Sequence, residues 1–186
     1  MNVRDTRRRA ALERMADHLL RLGLGGASLR SLAAAAGTSD RMLLYYFESK
    51  DELLAATLEH IAARLARLLD EAGSDEAAKP FHALLAEVWA AVRGPALRPY
   101  MRLWLELAAS AARGEEPHRT IAGRIADGFL AWAAARLRVE HEADRGPAAA
   151  LLLATVDGLA FLDAVGRGDT ASAAVAADGI VRETPA

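Results

Sequence analysis

The chain has 186 residues, 53% of them hydrophobic and 26% charged, with 14 Gly, 6 Pro and no Cys. Forty-four alanines and 28 leucines against eight valines and four isoleucines favour helix over strand, so the expected fold class is all-α, and the composition excludes a disordered or collagen-like chain. Without cysteine there is no disulfide framework, thiolate metal site or cysteine nucleophile, which is compatible with a reducing cytoplasm, the expected location. The net charge of −2 hides a division: residues 1–50 hold nine Arg and Lys against five acids, a balance of +4, and the remainder balances at −6. A basic head on an acidic body implies a polyanionic partner at one end; a solvated, Arg-rich helix start accounts for the same charges.

Taken in chain order, Leu12, Met15, Ala16, Leu19 and Leu20 recur at helical spacing from Arg8 onward and give a first amphipathic helix, ended by Gly23, Gly25 and Gly26. The four arginines ahead of it, Arg4, Arg7, Arg8 and Arg9, lead into no long apolar segment, so no secretory signal is read, and they form a flexible arm. Ser28 caps a short second helix through Leu29, Leu32 and Ala33 to about Ala36; Gly37 breaks it, and Ser39 caps a third through Met42, Leu43 and Tyr46. Two short helices joined by a tight turn containing glycine are a helix-turn-helix signature.

Ser49 and Glu52 read as a capping box before Leu53, Leu54, Leu58 and Ile61, so a long fourth helix runs to about Leu69. Glu71 to Lys79 is polar and loop-like. Pro80 opens a helix with Phe81, Leu84, Leu85, Val88 and Trp89, interrupted by Gly94, Pro95 and Pro99. Helices over Tyr100 to Ala112, His118 to Leu137, Ala148 to Val165 and Thr170 to Val181 bring the total to roughly nine. The longest apolar run, Ala148 to Val156, stops at Asp157, short of the ~20 residues that span a bilayer, so no membrane partner is expected.

The stretch from Ser28 to Leu54, with Ala36-Gly37 in the turn, Ser39 opening the third helix, then Tyr46-Phe47, Ser49-Lys50 and Leu53-Leu54, closely resembles the DNA-binding head of the TetR family of bacterial transcriptional regulators. The resemblance covers about residues 8 to 58. It implies a helix-turn-helix DNA-binding domain over 1–48 and a helical effector-binding and dimerisation domain over 49–186. Each matched residue also has a local reason. Ala33 lets two crossing helices approach, Gly37 suits a positive φ, and Leu29, Leu32, Leu43 and Phe47 form the miniature core that presents the third helix to a major groove about 12 Å wide.

By resemblance, Ser28, Arg30, Tyr45, Tyr46 and Lys50 meet phosphates, helped by helix N-termini. Ser39, Asp40, Arg41 and Met42 occupy the first turns of the reading helix and face base edges. Arg41 is suited to a bidentate contact with guanine, and equally to a phosphate. The chain departs from the family pattern at Asp40, where lysine is common, at Arg41, often glycine, and at Leu44, often tyrosine. Asp40 suits a helix start, and next to DNA it fits only as an acceptor for a cytosine amino group.

For the body, the resemblance implies a small-molecule pocket whose occupation the fourth helix transmits to the heads, and a homodimer built from a helix pair near the C-terminus. The expected pair is 118–137 and 148–165, where Ala131, Ala134, Ala150, Ala154, Gly158 and Ala160 allow close approach; packing within one subunit explains the same small residues. Pocket candidates are Phe81, Trp89, Tyr100, Met101, Trp104 and Phe129, with His82 or Glu106 as polar groups, suiting a small hydrophobic or aromatic effector; a plain core is the other reading of such a stripe. No cofactor or metal is expected. The five histidines have no i, i+3 or i+4 pairing with one another, and neither a P-loop nor a nucleophile elbow is present, so no enzyme is read. The expected function is a homodimeric regulator, a repressor released from a palindromic double-stranded DNA operator by its effector. The alternative is a helical nucleoid-associated or structural DNA-binding factor without an effector.

Overall fold

The computed structural model describes residues 3–72 and 77–183. Among these there are nine α-helices and no named strand: α1 (Val3–Leu22), α2 (Leu29–Ala36), α3 (Asp40–Tyr46), α4 (Lys50–Ala72), α5 (Phe81–Arg93), α6 (Arg98–Ala112), α7 (His118–Arg136), α8 (Arg145–Ala164) and α9 (Gly168–Glu183). Single 3₁₀ turns occupy Leu24–Gly26 and Glu142–Asp144. The all-α expectation holds.

Several boundaries differ, each for a local reason. Helix α1 starts at Val3, so Arg4, Arg7, Arg8 and Arg9 are helical and do not form a flexible arm. Arg4 and Arg8 anchor these first turns to the residues around α3, and Asp5 sits favourably at the positive end of the helix. Pro99 and Pro147 fall in the first turns of α6 and α8, where a missing N–H costs no helical bond, so both prolines start helices earlier than expected. Of the expected loop Glu71 to Lys79, Glu71 belongs to α4 and Lys79 makes an isolated parallel bridge with Leu137; residues 73–76 lie outside the described residues.

The chain forms two compact units: Met1–Leu65 with Arg102–Ile125, and Ala66–Met101 with Ala126–Ala186. In the first, α2 packs on α1 and α3, and Met15, Leu19, Leu32, Leu43, Phe47, Leu53 and Leu58 are almost fully buried. Polar contacts tie its helices together. Arg64 of α4 reaches Asp17 at 2.7 Å and Glu13 at 3.5 Å, and Glu13 also meets His60 Nε2 at 3.0 Å. Arg124 of α7 pairs with Glu59 at 2.7 Å. Arg102 donates to the Leu20 and Arg21 carbonyls, at 2.7 and 2.9 Å, where α1 ends with unpaired acceptors. Glu106 accepts the Leu24 N–H at 2.6 Å.

At the corner between α6 and α7, the buried Ser110 hydroxyl donates to Glu115 and lies 2.5 Å from His118 Nδ1, while Arg113 Nε donates to Glu115 at 2.6 Å. Hydrogen bonds from Arg113 first, and from Ser110 second, hold the Glu115 carboxyl down to about 2 from an ordinary 4.5. A carboxyl lowered on folding stabilises above its unfolded pKa, and that contribution fades as pH falls from 4.5 toward 2. Glu115→Gln should therefore lower the thermal midpoint at pH 7, and the gap to the unaltered protein should close near pH 2. A gap that persists unchanged at low pH in calorimetry would contradict this account.

The second unit has its own core: Leu84, Leu85, Val88, Trp89 and Val92 of α5, Ala133 and Leu137, Ala149, Leu152, Val156 and Leu159 of α8, and Ala171 of α9. Arg145 donates to the Ala134 and Leu137 carbonyls at 2.8 and 3.0 Å and to Glu142 at 2.7 Å, which closes the turn between α7 and α8. Asp70 accepts from Trp132 Nε1 at 2.8 Å and from Arg136 at 2.6 Å.

One helix, Glu142–Ala164, is long and apolar enough to cross a membrane by length and composition, with a mean hydropathy of 1.5 over its most apolar window. That window takes in more than the linear run that stops at Asp157, and core helices of globular proteins reach the same length and hydropathy. Only 28% of that window is buried. The buried side faces the core just described, and the outer side exposes Leu151 and Phe161, with Val165 exposed just past the helix end.

Candidate nucleic-acid interface

The site is built from three successive helix starts. At α2 the Ser28 hydroxyl accepts from the Ser31 N–H at 3.1 Å, satisfying one of the free donors of the first turn. The helix ends on Gly37 at φ 71°, a left-handed conformation that suits glycine. The Thr38 N–H then bonds back to the Ala33 carbonyl at 3.0 Å, the Schellman closure that reverses the chain within one turn. Arg14 of α1 adds a bond to the Ala36 carbonyl at 2.8 Å.

At α3 the Ser39 hydroxyl accepts from the Met42 N–H at 3.3 Å. At α4 Ser49 accepts from the Glu52 N–H at 3.0 Å, while the Glu52 carboxylate reaches back to the Glu48 N–H. A standard capping box would return to Ser49 itself; the bond here falls one residue earlier and closes the turn leaving α3.

Helix α3 is anchored on one side and bare on the other. Leu43 and Phe47, four residues apart, are 0% and 1% exposed against Leu32 at 0% and Ala33 at 2%, whereas Leu29 is only half-buried. Ser39, Asp40 and Arg41 are exposed, as are Met42, Leu44 and Tyr45. Ser39, Arg41, Met42, Leu44 and Tyr45 together line one open depression. Tyr46 is half-buried, its ring edge-on to Tyr45 with centroids 5.5 Å apart. Ser28, Arg30 and Lys50 are exposed at or near the starts of α2 and α4. Leu44, read from the sequence only as a departure from a pattern, belongs to the bare face. The signal that finds it is the 100° step from Leu43, which turns the next side chain outward.

A cationic guanidinium, a hydroxyl and two apolar side chains on or at the start of a helix of seven residues suit the donor, acceptor and methyl pattern of a DNA major groove. A family model for bacterial regulatory proteins of the tetR family matches residues 10–57, which span this whole arrangement. Over residues 10–57 the chain is a tetR-family segment. The regulator BetI of Paraburkholderia phytofirmans is 29% identical over 111 residues, which cover 57% of this chain and 57% of BetI, so the chain spans little more than half the length of that relative. A chain from Rhodococcus sp. described as a TetR-family transcriptional regulator superposes with a TM-score of 0.72 at 25% identity, covering 94% of this chain and 97% of its own. The multidrug binding protein EbrR, solved with proflavin, gives 0.66 at 25% identity over 91% of this chain and 98% of its own. These relatives are regulators and binding proteins, not enzymes.

The residues expected to meet an effector are dispersed. Trp89 and Tyr100 are 5% and 6% exposed, and Phe81, Met101 and Phe129 pack against the same core cluster of the second unit. Trp89 Nε1 donates to the Ser172 hydroxyl at 3.4 Å. His82 is exposed on α5, and Trp104 lies on the part of α6 that belongs to the first unit. Glu106 is occupied with Leu24.

Proposed function

We propose that this chain works as a homodimeric TetR-family repressor in the cytoplasm, binding a palindromic operator with its two α3 helices in successive major grooves and leaving it when a small hydrophobic or aromatic effector binds. The bare face of α3, backed by buried Leu43 and Phe47, carries the reading. Ser39, Arg41, Met42 and Leu44 read base edges, the two apolar side chains against thymine methyl groups and Arg41 against guanine. Asp40 accepts from a cytosine amino group. Ser28, Arg30, Tyr45, Tyr46 and Lys50 fix the register on phosphates, with the N-termini of α2 and α4 adding donors. Half-sites then lie about one DNA turn apart, roughly 34–36 Å.

Phe81, Trp89, Tyr100, Met101 and Phe129 are the side chains we assign to effector contact; the proflavin complex of EbrR supports an aromatic ligand. Release follows if the effector binds more tightly to a dimer whose head spacing no longer fits the operator.

Selection of bound fragments from a random DNA pool tests the reading, with Arg41→Ala alongside. A palindrome should be enriched, and the variant should lose about 1–3 kcal/mol and one specified base per half-site. Uniform weakening with a salt slope smaller by about 1 would reassign Arg41 to phosphate. Binding without any enriched sequence would replace the repressor with a nucleoid-associated factor.

A further inference from the structure

The first two turns of α1 bury no apolar face: Arg4, Asp5, Thr6, Arg7 and Arg9 are exposed and Arg8 is half-buried. Their contacts run instead to the end of α3. Arg4 Nη2 donates to the Tyr45 carbonyl at 3.1 Å, and its guanidinium lies 5.0 Å from the centre of the Tyr45 ring. One turn on, the Arg8 guanidinium lies 4.5 Å from the centre of the Phe47 ring and 3.6 Å from Glu52, whose other oxygen accepts the Glu48 N–H.

The Tyr45 carbonyl is among the last acceptors of α3, which have no partner inside the helix, and a cation there also meets the negative end of the helix dipole. A seven-residue helix is too short to hold its own last turn. The Tyr45 ring is 61% exposed and sits on the open face with Arg41 and Leu44.

We propose that Arg4 is a positioning residue for DNA binding: it caps the end of the reading helix and sets the Tyr45 ring against a phosphate, without touching DNA itself. This rests on the DNA-binding reading above. Positioning and direct contact differ measurably. A cation that neutralises a phosphate releases counterions and contributes about 1 to the salt slope, whereas a tyrosine hydroxyl contributes nothing to it.

The test uses the full chain with the duplex selected above, comparing Arg4→Gln, Tyr45→Ala and the double variant by fluorescence anisotropy over a salt series, with amide hydrogen exchange on the free protein. Arg4→Gln should weaken binding about tenfold with an unchanged salt slope. It should have little further effect once Tyr45 is Ala, the mark of coupled residues. Exchange at residues 45–48 should rise several-fold while that of α2 stays the same, which shows the head still folded. A salt slope lower by about 1, additive losses in the double variant, or unaltered exchange would each overturn the positioning role. If the unaltered protein binds no duplex, the DNA-binding reading falls and the role of Arg4 with it; if it binds and Arg4→Gln is indistinguishable from it, only the role of Arg4 falls.

Discussion

Phe47→Ala should abolish DNA binding without touching a single residue assigned to DNA. The ring is 1% exposed, it is held by the Phe47 N–H bond to the Leu43 carbonyl at 2.9 Å, and Arg8 covers its outer face. Truncating a buried Phe costs about 3–5 kcal/mol through lost transfer energy and the cavity left behind. Set against a typical total of about 5–15 kcal/mol, this is a large share, and the thermal midpoint should fall by roughly 10 °C or more. The loss concentrates on α3, whose fully buried apolar anchors are Leu43 and Phe47. Phe47→Leu, which keeps most of the volume, should restore most of the midpoint and measurable binding. Unchanged melting and unchanged affinity in Phe47→Ala would mean that α3 is held by something other than its apolar side.

The helix-turn-helix was legible because its determinants are local. Ser28, Ser39 and Ser49 each accept from an N–H three residues on, and Gly37 closes α2 on atoms within five residues. A pattern of that reach is written in the order of residues. The grip on the end of α3 is not: Arg4 meets Tyr45 across 41 residues, and the run of arginines shows no apolar period, so an arm was the natural reading. Glu106 is a similar case. On sequence it looks like a polar group for a pocket, yet its partner is the Leu24 N–H, 82 residues away.

In α8 the apolar pattern runs on past Asp157. A linear scan counts Asp157 as a stop, while in three dimensions Asp157 is half-buried and Asp163 pairs with Arg98 at 3.3 Å, leaving two apolar sides. The aromatic residues of α5 to α7 illustrate what pattern leaves open. Core packing and ligand contact demand the same side chains at the same spacing, and only the placement of Trp89 and Tyr100 among buried neighbours distinguishes depth from exposure.

The outer side of α8 carries the second large effect. Leu151, Gly158 and Val165 are seven residues apart, as are Ala154 and Phe161, so all five fall on one seam with the spacing of packed helix pairs. Leu151 is 53% exposed, Phe161 57% and Val165 54%. Gly158 and, on α7, Gly128 have nothing within 4 Å of where a Cβ would sit. Glycine inside a helix costs roughly 1 kcal/mol relative to alanine, and no neighbour within the protomer requires it at either place. In the homodimer proposed above, close approach by a helix of the second copy would supply that reason, on the pair of helices α7 and α8. Phe161→Glu should therefore shift the chain from dimer to monomer in light scattering at micromolar concentration, and leave the far-UV spectrum unchanged because the side chain is 57% exposed in its own protomer. Operator affinity should drop by roughly 10²–10⁴-fold, the gain that linking two half-sites provides, with binding to an isolated half-site unaltered. Gly158→Ala should act in two directions at once, raising the stability of the monomer and weakening the dimer. A dimer that survives Phe161→Glu together with Leu151→Glu would place the interface elsewhere on the chain.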